Sequence, residues 1–536
     1  MTIDPNRPSA IRNILLVTFD QWRWDCLSAM DHPLLRTPVL DAFAADATHF
    51  ANHWSVTCPC GPARASLFTG TYLHRHRSLR NGTPLDARFT NLALETRRLG
   101  YDPALFGYTD ISPDPRGRDG ADPIFDSYEG VLPGMTRVCR LDDDFGTWFA
   151  DLKAKGFPVP EKPWDIFRPT AEALAEAEAA GRAYCAAPAR YKAADSNGAF
   201  LTNEVLRYLE ARGGAPWFAH VSYISPHPPF IAPAPYHARY APEKTPAPVR
   251  AESAWAEASV HPFLDFKING RAGGTNAGVG AFVGRSVAPA EMADEELAQL
   301  RATYYGMINE VEDCFARILD WLHENDAYDE TLIVLTSDHG EQLGDHWMLS
   351  KTGFFDESYR VPLIVRDPRP EAAAGRGRRV EAFTESVDVA PTVLSLLGAP
   401  VPRGMDGVPL LAWLEGRTPA RWRDAAHVEY DFGDPVGRGA ERALGLRSQD
   451  CGLAMINDGR FKYVHFQALP PLLYDLEADR HQLVNRADDP AYREVLAEMR
   501  AKLLSWRMAS DEQTLTHYHI DRGATAYEDE RFEGAL

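Results

Sequence analysis

Short apolar runs divide the chain into predicted strands. Residues 14–19, 217–224 and 331–336 are each rich in aliphatic and aromatic side chains, several of them β-branched. An apolar run of this length, without strict alternation, is typical of a strand that is buried on both faces of a parallel sheet. We therefore predict that these three segments are buried strands of one sheet.

Segments with helical periodicity lie between these apolar runs. Apolar residues recur every three or four positions from Leu297 to Leu322, which predicts a long amphipathic helix packed on the core. Helices are also expected within residues 165–212 and from Val387 onward, and a further strand over residues 359–365. Buried strands that alternate with helices are typical of an α/β fold.

The remaining segments are less regular. Residues 231–290 are rich in Ala, Pro and Gly, which predicts an insertion, either a lid or an oligomer contact. From about residue 425 short strands and turns predominate. The polar and aromatic tail from Ser510 is expected to be an arm on another subunit or a disordered end. We predict a main domain over residues 1–424, a smaller α+β subdomain over residues 425–509 and a tail over residues 510–536.

Composition narrows the class of protein. The chain has 536 residues, of which 45% are hydrophobic and 25% are charged, as in ordinary soluble globular proteins. Its net charge of −20 argues against nucleic acid or an anionic membrane as the main partner. The seven cysteines show no repeating spacing, so no disulfide framework is predicted. With no signal-like segment and no apolar stretch long enough to span a bilayer, a cytoplasmic location is expected.

Polar residues follow each predicted strand. Asp20 and Gln21 come after the first, His227 after the second, and Asp338 and His339 after the third. In open α/β sheets, ligands bind beyond the carboxyl ends of the strands. The alternatives are that Asp20 caps a helix and that His227 is a surface loop residue. Carboxylates, an imidazole and an amide oxygen together suit Mn²⁺, Fe²⁺ or Zn²⁺, and they do not exclude Mg²⁺ or Ca²⁺.

One segment carries a more specific signal. Cys60-Gly61-Pro62-Ala63-Arg64 continues to Leu67 and then to Thr69-Gly70. This sequence resembles the sulfatase signature C-x-P-x-R-x-x-L-x-T-G. In that family the cysteine is oxidised to formylglycine, whose hydrated aldehyde supplies the nucleophile. The alternative is a buried structural cysteine in a turn that contains proline. Because the following residues have helical character, Cys60 is expected near a helix N-terminus, where anions bind favourably.

The resemblance extends in matching order over nearly the whole chain. It is a resemblance to sulfatases within the alkaline phosphatase superfamily, and it implies a large, mixed, mostly parallel sheet flanked by helices, followed by a small C-terminal antiparallel sheet plus helix. It also implies that Asp20, Gln21, Asp338 and His339 hold one divalent metal ion, with the modified Cys60 as a further ligand. Manganese is the preferred ion; calcium, magnesium, iron and zinc are alternatives.

The pattern is most similar to the phosphonate monoester hydrolase/arylsulfatase branch of that family. In this chain Asp20-Gln21 replaces the usual Asp-Asp pair, and Asp338-His339 replaces the usual Asp-Asn pair. Tyr108 stands where typical sulfatases carry Lys, which removes a positive charge from the expected site. Asp110 stands near a position where this branch is expected to carry a hydroxyl residue, so its role is open.

The resemblance implies a mechanism. The nucleophile on Cys60 would attack sulfur or phosphorus and form a covalent intermediate. Arg64, Lys351 and Asn81 would stabilise the non-bridging oxygens. His227, together with Lys351, would protonate the leaving group. The residues expected to contact substrate are Asn81, Tyr108 and Thr109.

These inferences predict an enzyme. We expect a formylglycine- and metal-dependent hydrolase of sulfate monoesters, phosphonate monoesters and phosphodiesters, with a small anionic ester as substrate. A formylglycine-generating enzyme would be a transient partner, and the chain would form a homodimer or homotetramer. The alternatives are a choline-sulfatase-like enzyme or a dedicated phosphodiesterase on the same fold. A non-catalytic binding protein is disfavoured, since it would not need Asp20, Asp338, His339 and Lys351 together.

Overall fold

The computed structural model describes residues 11–269, 289–516, 518–520 and 522–526. Its strands, in chain order, are β1 Asn13–Phe19, β2 Thr48–Phe50, β3 His53–Trp54, β4 Pro103–Gly107, β5 Thr136–Arg140, β6 Phe218–Tyr223, β7 Thr331–Ser337, β8 Leu363–Arg366, β9 Arg379–Val380, β10 Thr384–Glu385, β11 Ala426–Asp431, β12 Gly452–Asn457, β13 Phe461–Phe466, β14 Leu472–Asp475, β15 Tyr518–Ile520 and β16 Ala524–Ala526.

The helices are α1 Pro38–Ala45, α2 Cys60–Thr69, α3 Leu73–His76, α4 Leu92–Arg98, α5 Gly146–Ala154, α6 Ala171–Ala179, α7 Asn197–Arg212, α8 Ala254–Ala258, α9 Pro262–Asn269, α10 Asp294–Glu324, α11 Asp356–Tyr359, α12 Val389–Leu396, α13 Leu411–Leu414, α14 Gly439–Leu444 and α15 Arg493–Ala509. Among the described residues, none of these helices has the length and apolar character that a membrane crossing requires.

Eight strands form the main sheet, in the order β5-β4-β6-β1-β7-β8-β2-β9. Strand β8 runs antiparallel to both of its neighbours, and the other pairings are parallel. The sheet is therefore large, mixed and mostly parallel, with helices on its faces, which confirms the predicted alkaline phosphatase-like fold.

Strand β1 lies at the centre of this sheet and is buried along its whole length. Leu15, Val17 and Phe19 belong to the core on one face, while Ile14 and Leu16 belong to the core on the other. Burial on both faces explains why the sequence of β1 is continuously apolar rather than alternating.

The register of the central strands sets the position of the site. Phe19, the last residue of β1, pairs with Tyr223 of β6 on one side and with Ser337 of β7 on the other. The residues that follow these three strands therefore emerge at one edge of the sheet. This is the convergence that the sequence predicted.

A second, four-stranded antiparallel sheet follows, in the order β11-β12-β13-β14. Helix α15 covers it, with Met499 and Leu503 packed against Ile456 and Tyr463. This matches the predicted small C-terminal antiparallel sheet plus helix. The domain boundaries at residues 424 and 509 stay predictions.

Some predicted elements differ from the structure. Residues 359–365 were expected to be one strand, but α11 ends at Tyr359 and β8 begins only at Leu363. Pro362 separates the two, since proline has no N–H to donate to a sheet. In the expected insertion, α8 and α9 are described, whereas residues 270–288 lie outside the described residues. In the tail, β15 pairs with β16, and the predicted role in oligomerisation stays a prediction.

Candidate active site

Two carboxylates meet where β1 and β7 end. Asp20 follows β1, and its backbone N–H donates to the carbonyl of Tyr223 over 3.0 Å. Gln21 has a left-handed backbone, with φ of 69°, and its N–H donates to Asp338 Oδ1 over 3.2 Å. This turn holds the end of β1 against the carboxylate that follows β7. Asp20 and Asp338 are 1% and 2% exposed.

Cys60 is the first residue of helix α2. Its Sγ lies 3.2 Å from His339 Nε2 and 3.8 Å from Asp20 Oδ1. Burial, and next the charge of Asp20, raise the pKa of the thiol well above its ordinary value. An unmodified Cys60 is therefore protonated at neutral pH and is a poor thiolate nucleophile.

Four buried groups form a compact cluster of possible ligands. One ligand atom from each of Asp20, Cys60, Asp338 and His339 lies within 4.8 Å of the other three. His339 Nδ1 donates to the carbonyl of Gly340 over 3.1 Å, and burial lowers the pKa of the ring. The lone pair on Nε2 therefore faces Asp20 Oδ1 and Asp338 Oδ1, each 3.7 Å away. Several electron pairs around one point fit a divalent cation.

Arg64 lies behind this cluster, a position that the sequence did not indicate. It is fully buried; Nε donates to Asp338 Oδ2 over 2.9 Å, and Nη2 donates to Asp20 Oδ2 over 3.3 Å. Nη1 donates to the carbonyl of Tyr108 and to Ser222 Oγ. Arg64 does not line the cavity described below. In this structure Arg64 neutralises and orients the two carboxylates, and its expected contact with the non-bridging oxygens of the ester stays a prediction.

Tyr108 and Thr109 also have positions that the sequence did not indicate. The Tyr108 hydroxyl donates to Asp20 Oδ2 over 2.5 Å, and its ring lies 4.3 Å from the Arg64 guanidinium carbon. Thr109 is fully buried; its hydroxyl donates to the carbonyl of Gly130 and accepts from the N–H of Leu132, each over 2.9 Å. Both bonding directions of the Thr109 hydroxyl are used inside the protein, and its expected contact with substrate stays a prediction.

Gln21 and Lys351 form a polar pair beside the cluster. Lys351 Nζ donates to Gln21 Oε1 over 2.7 Å, and Gln21 Nε2 donates to Glu341 Oε2. Although burial lowers the pKa of Lys351, Cys60, Asp20 and Asp338 raise it above its ordinary value. Lys351 is therefore a cation. The expected metal contact of Gln21 stays a prediction, since its amide oxygen accepts from Lys351 in this structure.

His227 lies in the loop after β6. Its Nδ1 donates to the carbonyl of Pro228 over 2.6 Å, which leaves Nε2 as the acceptor. Burial, and next the charge of Lys351, lower the pKa of His227 to about 3. The ring is thus neutral at neutral pH, so the proton needed by a leaving group is held by Lys351 in the substrate-free protein.

A cavity of about 710 Å³ opens onto the cluster. The predicted site residues that line it are Asp20, Cys60, Asn81, Tyr108, His227 and Lys351. Gln21, Asp338 and His339 lie beneath its floor. Asn81 Oδ1 accepts from the N–H of Gly61 over 2.9 Å, so Asn81 holds the first turn of α2 in place beside the cavity. The volume suits a small organic ester.

Several charged residues of the cavity were not predicted as site residues. They include the carboxylic acids Asp110, Glu129, Asp142 and Asp143, and the amine of Lys267. Asp110 gave a signal in the sequence, as a departure from the family pattern. The other charged residues lie in segments with an irregular sequence, where neither periodicity nor a motif identifies functional residues. Burial lowers the pKa of Lys267 to about 8.

Known protein families and individual proteins match most of the chain. The family model described as "Sulfatase" matches residues 12–399, and the model for the C-terminal part of N-sulphoglucosamine sulphohydrolase matches residues 344–509. A multifunctional alkaline phosphatase superfamily protein of Trinickia caryophylli is 42% identical over 512 residues, which are 95% of this chain and 97% of that protein.

Two solved structures have the same fold over nearly their whole length. The phosphonate monoester hydrolase of Agrobacterium radiobacter has a TM-score of 0.90 and 44% identity, and the match covers 97% of this chain and 100% of that one. The phosphonate monoester hydrolase from Silicibacter pomeroyi has a TM-score of 0.87 and 37% identity, with 96% and 99% covered.

Proposed function

We propose, from the premise that this chain belongs to the sulfatase family of the alkaline phosphatase superfamily, that it is a formylglycine- and metal-dependent hydrolase of sulfate monoesters, phosphonate monoesters and phosphodiesters. Its membership and its phosphonate monoester hydrolase relatives make it a hydrolase of sulfate or phosphonate esters. Formylglycine at Cys60, the bound metal ion and the range of esters are the proposed part.

The observation that carries the proposal is the cluster of Asp20, Cys60, Asp338 and His339, of which Asp20 and Cys60 line the cavity. An unmodified thiol there has a raised pKa and is a poor nucleophile. Oxidation to formylglycine places an oxygen nucleophile at the same position. A divalent ion held by these side chains would lower the pKa of that nucleophile and polarise the ester.

The surrounding residues hold this arrangement in place. Arg64 and Tyr108 fix the outer oxygen of Asp20, and Arg64 also fixes Asp338. These bonds leave the inner oxygens, each 3.7 Å from His339 Nε2, directed at the cluster. Fixed outer oxygens keep the ligands in one orientation, a role known to strengthen metal binding.

Lys351 and His227 are the residues expected to transfer the proton to the leaving group and to compensate the negative charge of the ester. Lys351 is a cation that lines the cavity, so it can bind a non-bridging oxygen and donate a proton to the leaving oxygen. His227 is neutral without substrate, and a bound anion would raise the pKa of its ring. Asn81 lines the same cavity and is held by Gly61.

The charge of the site favours esters with a single negative charge at the reacting centre. Tyr108 replaces a cation, and several carboxylates line the cavity. A phosphate monoester has close to two negative charges at neutral pH, and unmatched charge is poorly compensated in a desolvated site. Sulfate monoesters, phosphonate monoesters and phosphodiesters have one. We therefore expect the phosphate monoester to be the poorest substrate.

Two measurements test the proposal. Trypsin releases residues 37–64 as one peptide, which contains Cys58 and Cys60; fragment masses should place an aldehyde at Cys60 and a thiol at Cys58. Values of kcat/KM for matched p-nitrophenyl esters should place the phosphate monoester last. A fully active protein with only thiol at Cys60, or a phosphate monoester that is the best substrate, would contradict the proposal.

A further inference from the structure

Four carboxylates form one wall of the cavity, which we call the acidic wall: Asp110, Glu129, Asp142 and Asp143. Strands β4 and β5 end at Gly107 and Arg140, and this wall is built from the segments that follow them. The backbone of Asp110 also lies against helix α2, because a Cβ atom placed on Gly61 would be 2.8 Å from the Asp110 carbonyl oxygen. The wall therefore begins beside Cys60 and extends away from it.

Asp110 has an unmet bonding capacity. It is 5% exposed, and its Oδ1 has no hydrogen-bond partner among the described residues. A buried carboxylate oxygen without a partner is costly, so such an atom in a cavity indicates a missing cation or donor. Burial raises the pKa of Asp110 to about 7.

The neighbouring carboxyl groups make the ionised form of the wall still less favourable in the absence of a cation. Burial, and next the charges of Asp143 and Asp110, raise the pKa of Glu129 to about 9. Glu129 Oε2 accepts from the N–H of Asp143 over 2.7 Å, which holds the two carboxylates in the same region. Arg140 pairs with Asp142, but it lies outside the cavity lining. A bound cation stabilises neighbouring carboxylates of this kind.

The lysine and arginine side chains that line the cavity have other contacts. Lys351 donates to Gln21, and Arg80 pairs with Asp431. Lys267 lies within 5.2 to 5.7 Å of the centres of the Phe263, Phe266 and Tyr430 rings. Each of these three cations therefore has its contacts with residues outside the acidic wall.

The geometry favours an organic cation over a metal ion. Across the described ranges, the metal-type grouping found is that of Asp20, Cys60, Asp338 and His339, so the wall carboxylates are too dispersed to coordinate one ion. Tyr128, whose hydroxyl lies 3.5 Å from Asp143, and Trp164 also line the cavity and add aromatic surface. Dispersed carboxylates with aromatic rings suit an ammonium group, which is larger than a metal ion and binds ring faces.

We infer that the acidic wall binds an ammonium group in the organic part of the ester, so that the preferred substrates are zwitterionic esters. Such a substrate has one negative charge at the sulfur or phosphorus, near the cluster, and one positive charge at the wall. This inference rests on the proposed function and names the substrate class of the same site.

A matched pair of diesters tests it on the full-length, modified and metal-loaded enzyme. One is p-nitrophenyl phosphocholine, which is zwitterionic; the other is its isostere, in which an uncharged tert-butyl group replaces the trimethylammonium group. The two have the same leaving group and nearly the same shape, so the ratio of their kcat/KM values reports the ammonium contact. We expect a preference of about tenfold for the phosphocholine ester, the factor that about 1.4 kcal/mol produces.

Variants locate the contact. Glu129→Gln retains an oxygen for the N–H of Asp143, and Asp110→Asn retains the shape of that side chain; each should reduce the preference to about threefold or less. Asp126→Asn is the control, because Asp126 is three residues from Glu129, exposed and outside the cavity lining, and this variant should keep the wild-type ratio.

The outcomes separate the two proposals. If both diesters are hydrolysed and the tert-butyl diester is equal or better, or if the wall variants keep the wild-type preference, the ammonium inference is wrong and the proposed function stands. If neither diester is hydrolysed, nor an aryl sulfate or phosphonate monoester, the proposed function fails and the inference falls with it.

Discussion

Replacement of Tyr108 by Phe tests the link between the cavity wall and the metal ligands. The change removes one oxygen and leaves the ring above Arg64. It deletes the 2.5 Å hydrogen bond from the Tyr108 hydroxyl to Asp20 Oδ2. A hydrogen bond to a charged group contributes about 1.5–3 kcal/mol. Removing a group that orients a metal ligand lowers metal affinity about 10–100-fold, or about 1.4–2.7 kcal/mol. The free energy of the hydrogen bond and the free energy that corresponds to the loss of metal affinity therefore agree.

Metal binding provides the assay. Calorimetric titration of the metal-free protein with Mn²⁺ should give a dissociation constant for Tyr108→Phe that is about 10–100-fold higher than for wild type. Tyr128→Phe is the control, since it makes the same atomic change in the same cavity, where the hydroxyl lies 3.5 Å from Asp143 rather than beside Asp20. Equal affinities for wild type and Tyr108→Phe would show that the hydroxyl does not hold a metal ligand.

Three further predictions follow from the site. Cys60→Ala should lose most turnover while circular dichroism and the thermal midpoint stay close to wild type; retained turnover would exclude Cys60 as the nucleophile. Asp20→Asn and Asp338→Asn should each lower the metal content of the purified protein, because each removes a charged ligand; full metal content and unchanged activity in both would mean that the metal lies elsewhere. Lys351→Ala should lower kcat/KM by about 10²–10⁴-fold for alkyl esters and by much less for p-nitrophenyl esters, whose leaving group needs no proton; equal losses would assign Lys351 to binding of the non-bridging oxygens alone.

Local sequence patterns were sufficient to predict those elements whose structure is determined by a single segment. Strands β1 and β7 are continuous apolar runs, and the acids that follow them converge because neighbouring parallel strands end at the same edge. Helix α2 begins at Cys60, in agreement with the helix N-terminus expected from the helical character of the residues that follow. In these cases position along the chain determines position in space.

The directions of side chains could not be predicted from local sequence patterns. Arg64 lies one turn into α2, and only the packing of that helix against β1 and β7 directs its guanidinium toward Asp20 and Asp338 rather than toward the cavity. Thr109 is adjacent to Tyr108, yet it faces the loop that contains Gly130. The acidic wall depends on contacts between separate loops, which no local period encodes.

The burial of helix α2 determines when Cys60 can be modified. All ten residues of α2 are buried, including Pro62 and Arg64 of the signature, and Cys60 is 4% exposed. A converting enzyme that reads Cys60, Pro62 and Arg64 needs that segment extended and accessible, so conversion has to precede folding. Folded protein that carries the thiol should therefore resist the converting enzyme, whereas a synthetic peptide over residues 56–70 should be converted. Efficient conversion of the folded protein would refute this order. If Cys60 is modified as proposed, competition between modification and folding during synthesis would determine the fraction of active enzyme.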